Sequence, residues 1–452
     1  MEENEKQVGT VGALSEEKVS KIEKDYDGEL KNKVVRHALS RTAISDIIFE
    51  PGSIEGVAPA FSVEIKTLPV ANQRSSGRCW IFAGLNVLRE TIAKRCKIKR
   101  FELSQNYISL FDKIEKANYA LESIIKLSKN EHDERVLQFI LEAPVADGGQ
   151  WDMFVNLVKK YGLVPQPAFP ETFQSNNTKE TDNLVNAAIR NFAFEAHRLA
   201  IKDDAAAIRS LKEETIEKIY HMFLNAFGVP PKTFDFEYVD AKEKYHVDRG
   251  LTPLGFFDKY IGKAIDEYQS LINSPTADKP YGNNFTIDFL GNVVEGKPIN
   301  HLNVTMERMK ALIVKQLKDG NPVWFGSDVS FYRDRASFAW DANAFDYLSS
   351  FGFDIKFDKG GMLDYRHSAM NHAMVITGVN IVNGLPTRWK IENSWGEDNG
   401  LKGYYVMSPA FFDTFVYQAV ILKQYLNQQE IKAAGQEPIH LPPWDPMGTL
   451  AD

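Results

Sequence analysis

The apolar residues of this 452-residue chain change their spacing about two thirds of the way along it. In the earlier part they recur at three- and four-residue steps, which predicts helices at 79–95 and 179–227. Later, short β-branched or aromatic runs predict strands at 321–327, 372–382, 387–393, 402–407 and 416–424. Because helices come first and strands come later, the pattern predicts an α+β fold rather than an alternating parallel sheet.

Composition limits the partners, the compartment and the cofactors that we expect for this chain. The net charge of −8 argues against nucleic acid or an anionic membrane as the main partner. We expect no membrane span and no signal peptide, because no run of about 20 apolar residues is present and the first residues are acidic. The two cysteines, Cys79 and Cys96, predict a cytoplasmic protein with reduced thiols. Metal-ligand spacings are missing from the sequence, so we expect neither metal nor cofactor.

Cys79 is the sharpest candidate for chemistry. It follows small, flexible residues and opens an apolar helix, so its thiol lies at the positive end of the helix dipole. That position favours the thiolate, which is the nucleophilic form. A lone cysteine is more often a structural core residue, but the small residues before it leave room for a substrate. The pattern therefore predicts a nucleophile.

A thiol nucleophile needs a base, and His372 is the best candidate. It begins an apolar strand, and the Asn383-Gly384 pair that follows is a hairpin signal. Folding the chain back at that turn brings Asn393 beside His372, where the amide can orient the imidazole. The indole of Trp395 is then placed to shield that hydrogen bond from water.

Gln73 is a candidate for stabilising an oxyanion. It stands six residues before Cys79, and its amide could donate to the oxyanion together with the Cys79 backbone N–H. Taken alone, a glutamine in a loop is usually solvated, so this prediction depends on the neighbouring motifs.

Three motifs in this order resemble those of the papain-like cysteine peptidases: QRSSGRCW at 73–80, NHA at 371–373 and ENSWG at 392–396. The first motif carries no second cysteine before the nucleophile, so it resembles the branch of bleomycin hydrolase and bacterial aminopeptidase C. DGGQW at 147–151 and PMGTLAD at 446–452 also resemble that branch. The resemblance implies a two-lobed fold with a helical lobe, an antiparallel β-barrel-like lobe and an extended C-terminal arm.

The spacing of the motifs predicts a large insertion. Cys79 and His372 lie 293 positions apart, whereas about 130–150 residues separate these roles in ordinary relatives. We therefore expect five segments. They are an N-terminal lead-in at 1–60, a helical lobe at 61–165, a mainly helical insertion at 166–300, a β-rich lobe at 301–428 and a C-terminal arm at 429–452. The resemblance implies that the insertion mediates a closed homohexamer.

The sequence thus predicts a cysteine aminopeptidase that acts on peptides with a free N-terminus, with bleomycin-hydrolase-like amide hydrolysis. Cys79 would form the acyl-enzyme, and His372, resting as an imidazolium beside the thiolate, would act as base and then acid. The expected substrate contacts are Gly148, Gly149, Trp395, Ala451 and Asp452. In this arrangement a terminal carboxylate at Asp452, or at Ala451 after trimming, would bind the α-ammonium group.

Two alternatives stay open. One is a papain-type endopeptidase or an amide hydrolase of another specificity. The other is a nucleic-acid-binding or scaffold role through residues 94–100, where five of seven residues are basic. A solvated helix C-terminus explains that run more simply, and the negative net charge makes nucleic acid an unexpected partner.

Overall fold

The computed structural model describes residues 12–55, 57–333 and 337–451, and of Ala451 only the backbone. The chain forms two compact units. One comprises Met1–Ser53 and Asn343–Ile355, and the other comprises Ile54–Ala342 and Lys356–Asp452.

The α-helices of the described residues are numbered in chain order. They are α1 Glu16–Gly28, α2 Leu30–Leu39, α3 Ile44–Ile48, α4 Cys79–Cys96, α5 Gln105–Leu127, α6 Arg135–Glu142, α7 Trp151–Tyr161, α8 Lys179–Ala200, α9 Ala205–Phe227, α10 Pro253–Tyr260, α11 Met306–Lys318, α12 Tyr347–Phe351, α13 Lys359–Asp364, α14 Pro409–Phe415 and α15 Gln428–Ala434. In the part of the chain that the structure describes, each helix is too short or too polar to cross a bilayer.

The strands are numbered in the same way. They are β1 Val63–Glu64, β2 Phe234–Val239, β3 Tyr245–Leu251, β4 Tyr268–Ile272, β5 Asn284–Ile287, β6 His301–Asn303, β7 Val323–Ser327, β8 Ala339–Trp340, β9 His372–Val382, β10 Leu385–Glu392, β11 Tyr404–Met407, β12 Val416–Leu422 and β13 Ile439–Leu441. The predicted late strands are therefore present, and the α+β prediction is confirmed.

The smaller unit contains α1, α2, α3 and α12. The Ser15 side chain caps α1 by accepting a hydrogen bond from the Lys18 amide. The rings of Phe49 and Phe345 lie 5.8 Å apart and link the two chain segments of this unit. Part of the predicted lead-in thus lies in a small helical unit that also includes residues beyond position 340.

The larger unit is built around one eleven-stranded mixed sheet, in the order β13-β5-β6-β4-β12-β7-β9-β10-β11-β8, with β1 paired to β9. Among the described strands the path is open and forms no closed barrel. Strands β4 and β5 lie within 166–300, which we expected to be mainly helical, yet they join this sheet. The five predicted segments and their boundaries remain predictions.

Helix α4 is the central helix of the helical part. Its first twelve residues, including Trp80 and Phe82, are all buried, as the apolar sequence of its first half predicts. Strand β9 crosses behind it and is buried over its first eight residues. This packing brings the first residue of α4 to the first residues of β9.

Candidate active site

The thiol of Cys79 meets the start of β9. Its Sγ accepts a hydrogen bond from the backbone N–H of Ala373 at 3.4 Å, and Ala373 directly follows His372. Both Cys79 and His372 are nearly inaccessible to solvent, at 4 % and 5 % exposed. The fold therefore places the predicted nucleophile and the predicted base side by side.

The hairpin of β9 and β10 brings Asn393 to His372. Its turn residues Asn383 and Gly384 both have positive φ, 51° and 81°, as a tight two-residue turn of this type requires. The His372 Nε2–H donates to Asn393 Oδ1 at 2.8 Å. This hydrogen bond fixes the tautomer and leaves Nδ1 as the basic nitrogen of the neutral ring.

Trp395 packs against this pair. Its indole is stacked on the His372 imidazole, with ring centroids 4.8 Å apart and planes inclined by 23°. A β-bridge between Asn72 and Trp395 fixes the loop that carries the indole. The stacked ring covers the imidazole, as the sequence predicts.

Gln73 lies in the same wall of the site and is 7 % exposed. Its Nε2 donates to the Ser76 carbonyl at 2.7 Å, and its Oε1 accepts from the Ser394 hydroxyl at 2.5 Å. Its backbone N–H also donates to the Ser394 carbonyl. The amide is therefore held firmly between the loop before Cys79 and the loop after Asn393.

Burial controls the protonation of the catalytic pair. It raises the pKa of the Cys79 thiol to about 11, against the opposing hydrogen bonds from the Ala373 and Trp80 amides. Burial also lowers the pKa of His372 to about 4, against the opposing hydrogen bond to Asn393. Burial thus favours a neutral thiol beside a neutral imidazole and opposes the resting ion pair that we expected from the helix dipole. Sequence shows the dipole but not the burial.

The glycine-rich segment faces the C-terminal arm. The Gly149 N–H donates to the Leu450 carbonyl at 2.9 Å, and Gln150 Nε2 donates to the Met447 carbonyl at 3.2 Å. A Cβ on Gly149 would lie 2.5 Å from the Trp80 ring, so only glycine allows this close approach. The carbonyl of Gly148 accepts from the Lys116 ammonium instead.

The arm reaches the site in two stages. Its strand β13 extends the large sheet next to β5, and a short 3₁₀-helix, Pro446–Ala451, then carries it to the glycine segment. Thr449 Oγ1 donates to the Met370 carbonyl at 2.8 Å. The backbone of Ala451 is the last described part of the chain, and the predicted anchor Asp452 lies outside the described residues.

Several supporting residues were missed by the sequence analysis, beginning with those around the nucleophile loop. Asp147 Oδ2 accepts from the Gly77 N–H at 2.8 Å, and its Oδ1 pairs with Lys113 at 2.8 Å. Burial opposes the charge of Asp147, but Lys113 and the hydrogen bonds from Thr178 and Gly77 hold its pKa well below the usual range. The fully buried Arg78 forms an ion pair of 3.0 Å with Glu171.

A second network of buried hydrogen bonds holds Glu392, the residue directly before Asn393. Glu392 Oε1 accepts from Arg89 Nη2 at 2.9 Å and from Asn86 Nδ2 at 3.0 Å, and its Oε2 accepts from Thr67 at 2.6 Å. This carboxylate ties α4 to the end of β10, immediately before Asn393. The sequence carries no signal for such networks beyond the presence of charged residues in otherwise apolar elements.

The basic run at 94–100 ends α4, as its simpler interpretation predicts. The Lys94 ammonium donates to the Gly320 carbonyl, and the Arg95 guanidinium donates to the Lys259 carbonyl at 2.5 Å. Lys97 closes the helix in a left-handed conformation. In the described ranges, no cluster of three or more His, Cys, Asp or Glu side chains is arranged to hold a metal ion.

The chain is similar to known proteins along nearly its whole length. The profile of the Peptidase C1-like family matches residues 13–448. Aminopeptidase C of Listeria monocytogenes serovar 1/2a is 44 % identical over 419 residues, which cover 92 % of this chain and 94 % of that protein. Aminopeptidase C of Streptococcus thermophilus is 41 % identical over 441 residues, covering 97 % of this chain and 99 % of that one.

A solved structure shares this fold. The crystal structure of PepW from Lactobacillus rhamnosis HN001 superposes with a TM-score of 0.94 at 43 % identity, and the match covers 97 % of this chain and 99 % of that one. Together with the family match, this similarity confirms the papain-like fold that the motifs predict.

Proposed function

The chain belongs to the Peptidase C1-like family and is a cysteine-type aminopeptidase, and we propose that Cys79 is its nucleophile. The observation that carries this assignment is the contact of the Cys79 Sγ with the Ala373 amide, beside a histidine already held by Asn393. The endopeptidase and the nucleic-acid-binding alternatives are not favoured, because the similar proteins are named as aminopeptidases.

The reaction begins with proton transfer from the thiol of Cys79 to Nδ1 of His372. The sulfur then attacks the carbonyl carbon of the substrate's N-terminal residue, and the backbone N–H of Cys79 and the Gln73 amide stabilise the oxyanion. Collapse of the tetrahedral intermediate breaks the C–N bond, and His372 returns its proton to the leaving amine. Water, deprotonated by His372, then hydrolyses the thioester and releases the N-terminal amino acid.

Asn393 and Trp395 act through His372. The amide keeps the proton on Nε2, so that Nδ1 can accept the proton of the thiol. The stacked indole excludes water from this hydrogen bond and strengthens it, because the local dielectric constant is low.

The C-terminal arm gives the reaction its aminopeptidase specificity. Its Leu450 carbonyl takes the Gly149 N–H, a donor that could otherwise pair with the backbone of a long substrate. We propose that an arm in this part of the cleft leaves space for one residue before the scissile bond. The terminal carboxylate, at Asp452 or at Ala451 after trimming, would pair with the free α-ammonium group of that residue.

We also propose a cellular compartment, an oligomeric state and a second class of substrate. The two free thiols suit a reducing, cytoplasmic compartment, and cell fractionation tests this location. The resemblance to the branch of bleomycin hydrolase and bacterial aminopeptidase C implies assembly into a homohexamer, and light scattering after size-exclusion chromatography measures the number of copies. The same acyl transfer would also hydrolyse amides of the bleomycin type.

The decisive test of the proposed function compares alanyl-aminomethylcoumarin with its N-acetylated form. We expect hydrolysis of the free-amine substrate only, and its loss after alkylation of Cys79. Equal hydrolysis of the two substrates would instead indicate an endopeptidase or a general amidase.

A further inference from the structure

The position of the arm determines where the leaving part of the substrate runs. The arm pairs through Leu450 with the glycine segment, whose Gly149 packs against Trp80 beside Cys79. A substrate that meets the arm with its N-terminal residue must therefore extend away from it. Its leaving nitrogen lies beside His372, which protonates it, so the next residue passes the indole of Trp395.

The guanidinium group of Arg333 lies over the indole ring of Trp395. The guanidinium carbon of Arg333 lies 4.6 Å from the indole centroid, and the same indole is stacked on His372 at 4.8 Å. Because these two distances share the indole centroid, the guanidinium carbon is at most about 9.4 Å from the imidazole centroid. Arg333 and Trp395 are both partly exposed, so a substrate can reach them.

This distance suits one particular group of a short substrate. In a dipeptide, the α-carboxylate carbon follows the leaving nitrogen by two bonds and lies about 2.4 Å from it. A paired carboxylate and guanidinium have their carbons about 4 Å apart. With the leaving nitrogen in hydrogen-bond contact with His372, these lengths together bring the carboxylate within reach of Arg333. Stacking on the indole also restricts the guanidinium plane, which reduces the entropy lost on binding.

We propose that Arg333 is a specificity-determining residue that binds the α-carboxylate of the residue after the scissile bond. The proposal rests on the proposed aminopeptidase function and deepens it, since it names free-acid dipeptides as the preferred substrates. The positive charge of Arg333 also opposes protonation of His372, which is consistent with its placement beside the reacting groups.

The test compares L-alanyl-L-alanine with L-alanyl-L-alaninamide in the full-length enzyme. The wild type should prefer the free acid, and Arg333→Gln should reduce the ratio of the two kcat/KM values by about five- to tenfold, mainly through KM. The different basicity of the two leaving amines contributes the same factor to the ratio in each enzyme, so it cancels when the variant is compared with the wild type. Arg198→Gln, which removes an exposed arginine from α8, is the matched control and should keep the wild-type ratio.

An unchanged ratio in Arg333→Gln overturns the proposal. If that variant loses all turnover, the same two dipeptides are compared by calorimetric dissociation constants in the Cys79→Ala background, with and without Arg333→Gln. In that background, Arg333→Gln must also reduce the preference for the free acid. N-acetyl-alanyl-alanine, run in the same assay, tests the proposed function separately, because its hydrolysis contradicts an aminopeptidase whatever the ratio.

Discussion

The backbone N–H of Gly149 donates a hydrogen bond of 2.9 Å to the carbonyl of Leu450, so the enzyme's own C-terminal segment pairs with its glycine-rich wall. We expect deletion of residues 449–452 to lower the hydrolysis of free-amine substrates at least about tenfold, because the pairing of the substrate's ammonium group with the terminal carboxylate is lost. The same deletion should allow cleavage of N-acetylated peptides, because the Gly149 donor becomes accessible.

The measurement is the ratio of free-amine to N-acetylated coumarin hydrolysis. Removal of Asp452 alone is the control, because the arm then still carries Leu450 and ends in the carboxylate of Ala451. An unchanged ratio after the longer deletion would show that the arm plays no part in specificity.

The two cysteines provide a matched pair. Cys79→Ala should lower kcat at least about 10⁴-fold without loss of thermal stability, because it removes the nucleophile. Cys96→Ala, at the other end of α4, should keep activity within about twofold, although it opens a small cavity. Steady-state kinetics with thermal unfolding decides, and appreciable turnover by Cys79→Ala would reject the assignment.

Substitution of Asn393 should lower kcat less than substitution of His372. Asn393→Ala removes one hydrogen bond to the imidazole, and we expect a decrease in kcat of about 10- to 100-fold. His372→Ala removes the base and acid, and should cost at least about 10³-fold. An equal loss in the two variants would mean that Asn393 contributes more than orientation of the ring.

The protonation state can be measured by alkylation. Because burial raises the pKa of Cys79 to about 11 and lowers that of His372 to about 4, the thiolate is a minor species at pH 7. The iodoacetamide rate of the free enzyme should therefore rise about tenfold per pH unit between about pH 7 and pH 10. A resting ion pair gives a different profile, with a plateau from about pH 5 to pH 8, and that plateau would contradict the neutral pair.

The buried carboxylate of Glu392 should stabilise the fold. Glu392→Gln removes the shorter of the two buried ion pairs of Arg89 and leaves the 3.7 Å pair with Glu90, so we expect a loss of about 2–3 kcal/mol in the free energy of unfolding. Glu64→Gln is the control, because it breaks the more exposed pair with Lys390 and should cost less than about 1 kcal/mol. Urea denaturation measures both, and similar small losses would refute a structural role for the buried pair.

Local signals in the sequence predicted the hairpin that presents the base. The turn residues Asn383 and Gly384 favour positive φ, and the strands on both sides carry β-branched or aromatic residues, so the return of the chain to His372 followed from neighbouring residues alone. The strand predicted at 372–382 and the helix predicted from Cys79 agree with the structure for the same reason.

Other features could not be read from the sequence because they depend on contacts between distant residues. The partners of Arg78, Lys113 and Glu392 come from elements far away in the chain, and no local pattern identifies them. The strands β4 and β5 were missed in the same way, since they join the large sheet from within a largely helical stretch. The sequence predicted the reacting groups more fully than the residues that hold them in place.

The ion pair between Arg78 and Glu171 limits how far the molecule could be reduced in size. Glu171 and Asp182 lie in 166–300, the segment that we predict to be an insertion, and they pair with Arg78 and Lys113, two buried cations near the loop before Cys79. A miniaturised catalyst made by excising that segment would take Glu171 from the buried Arg78 and leave Lys113 with Asp147. The residues of this segment thus support the nucleophile loop, and a shorter scaffold would first have to replace Arg78 with a neutral side chain.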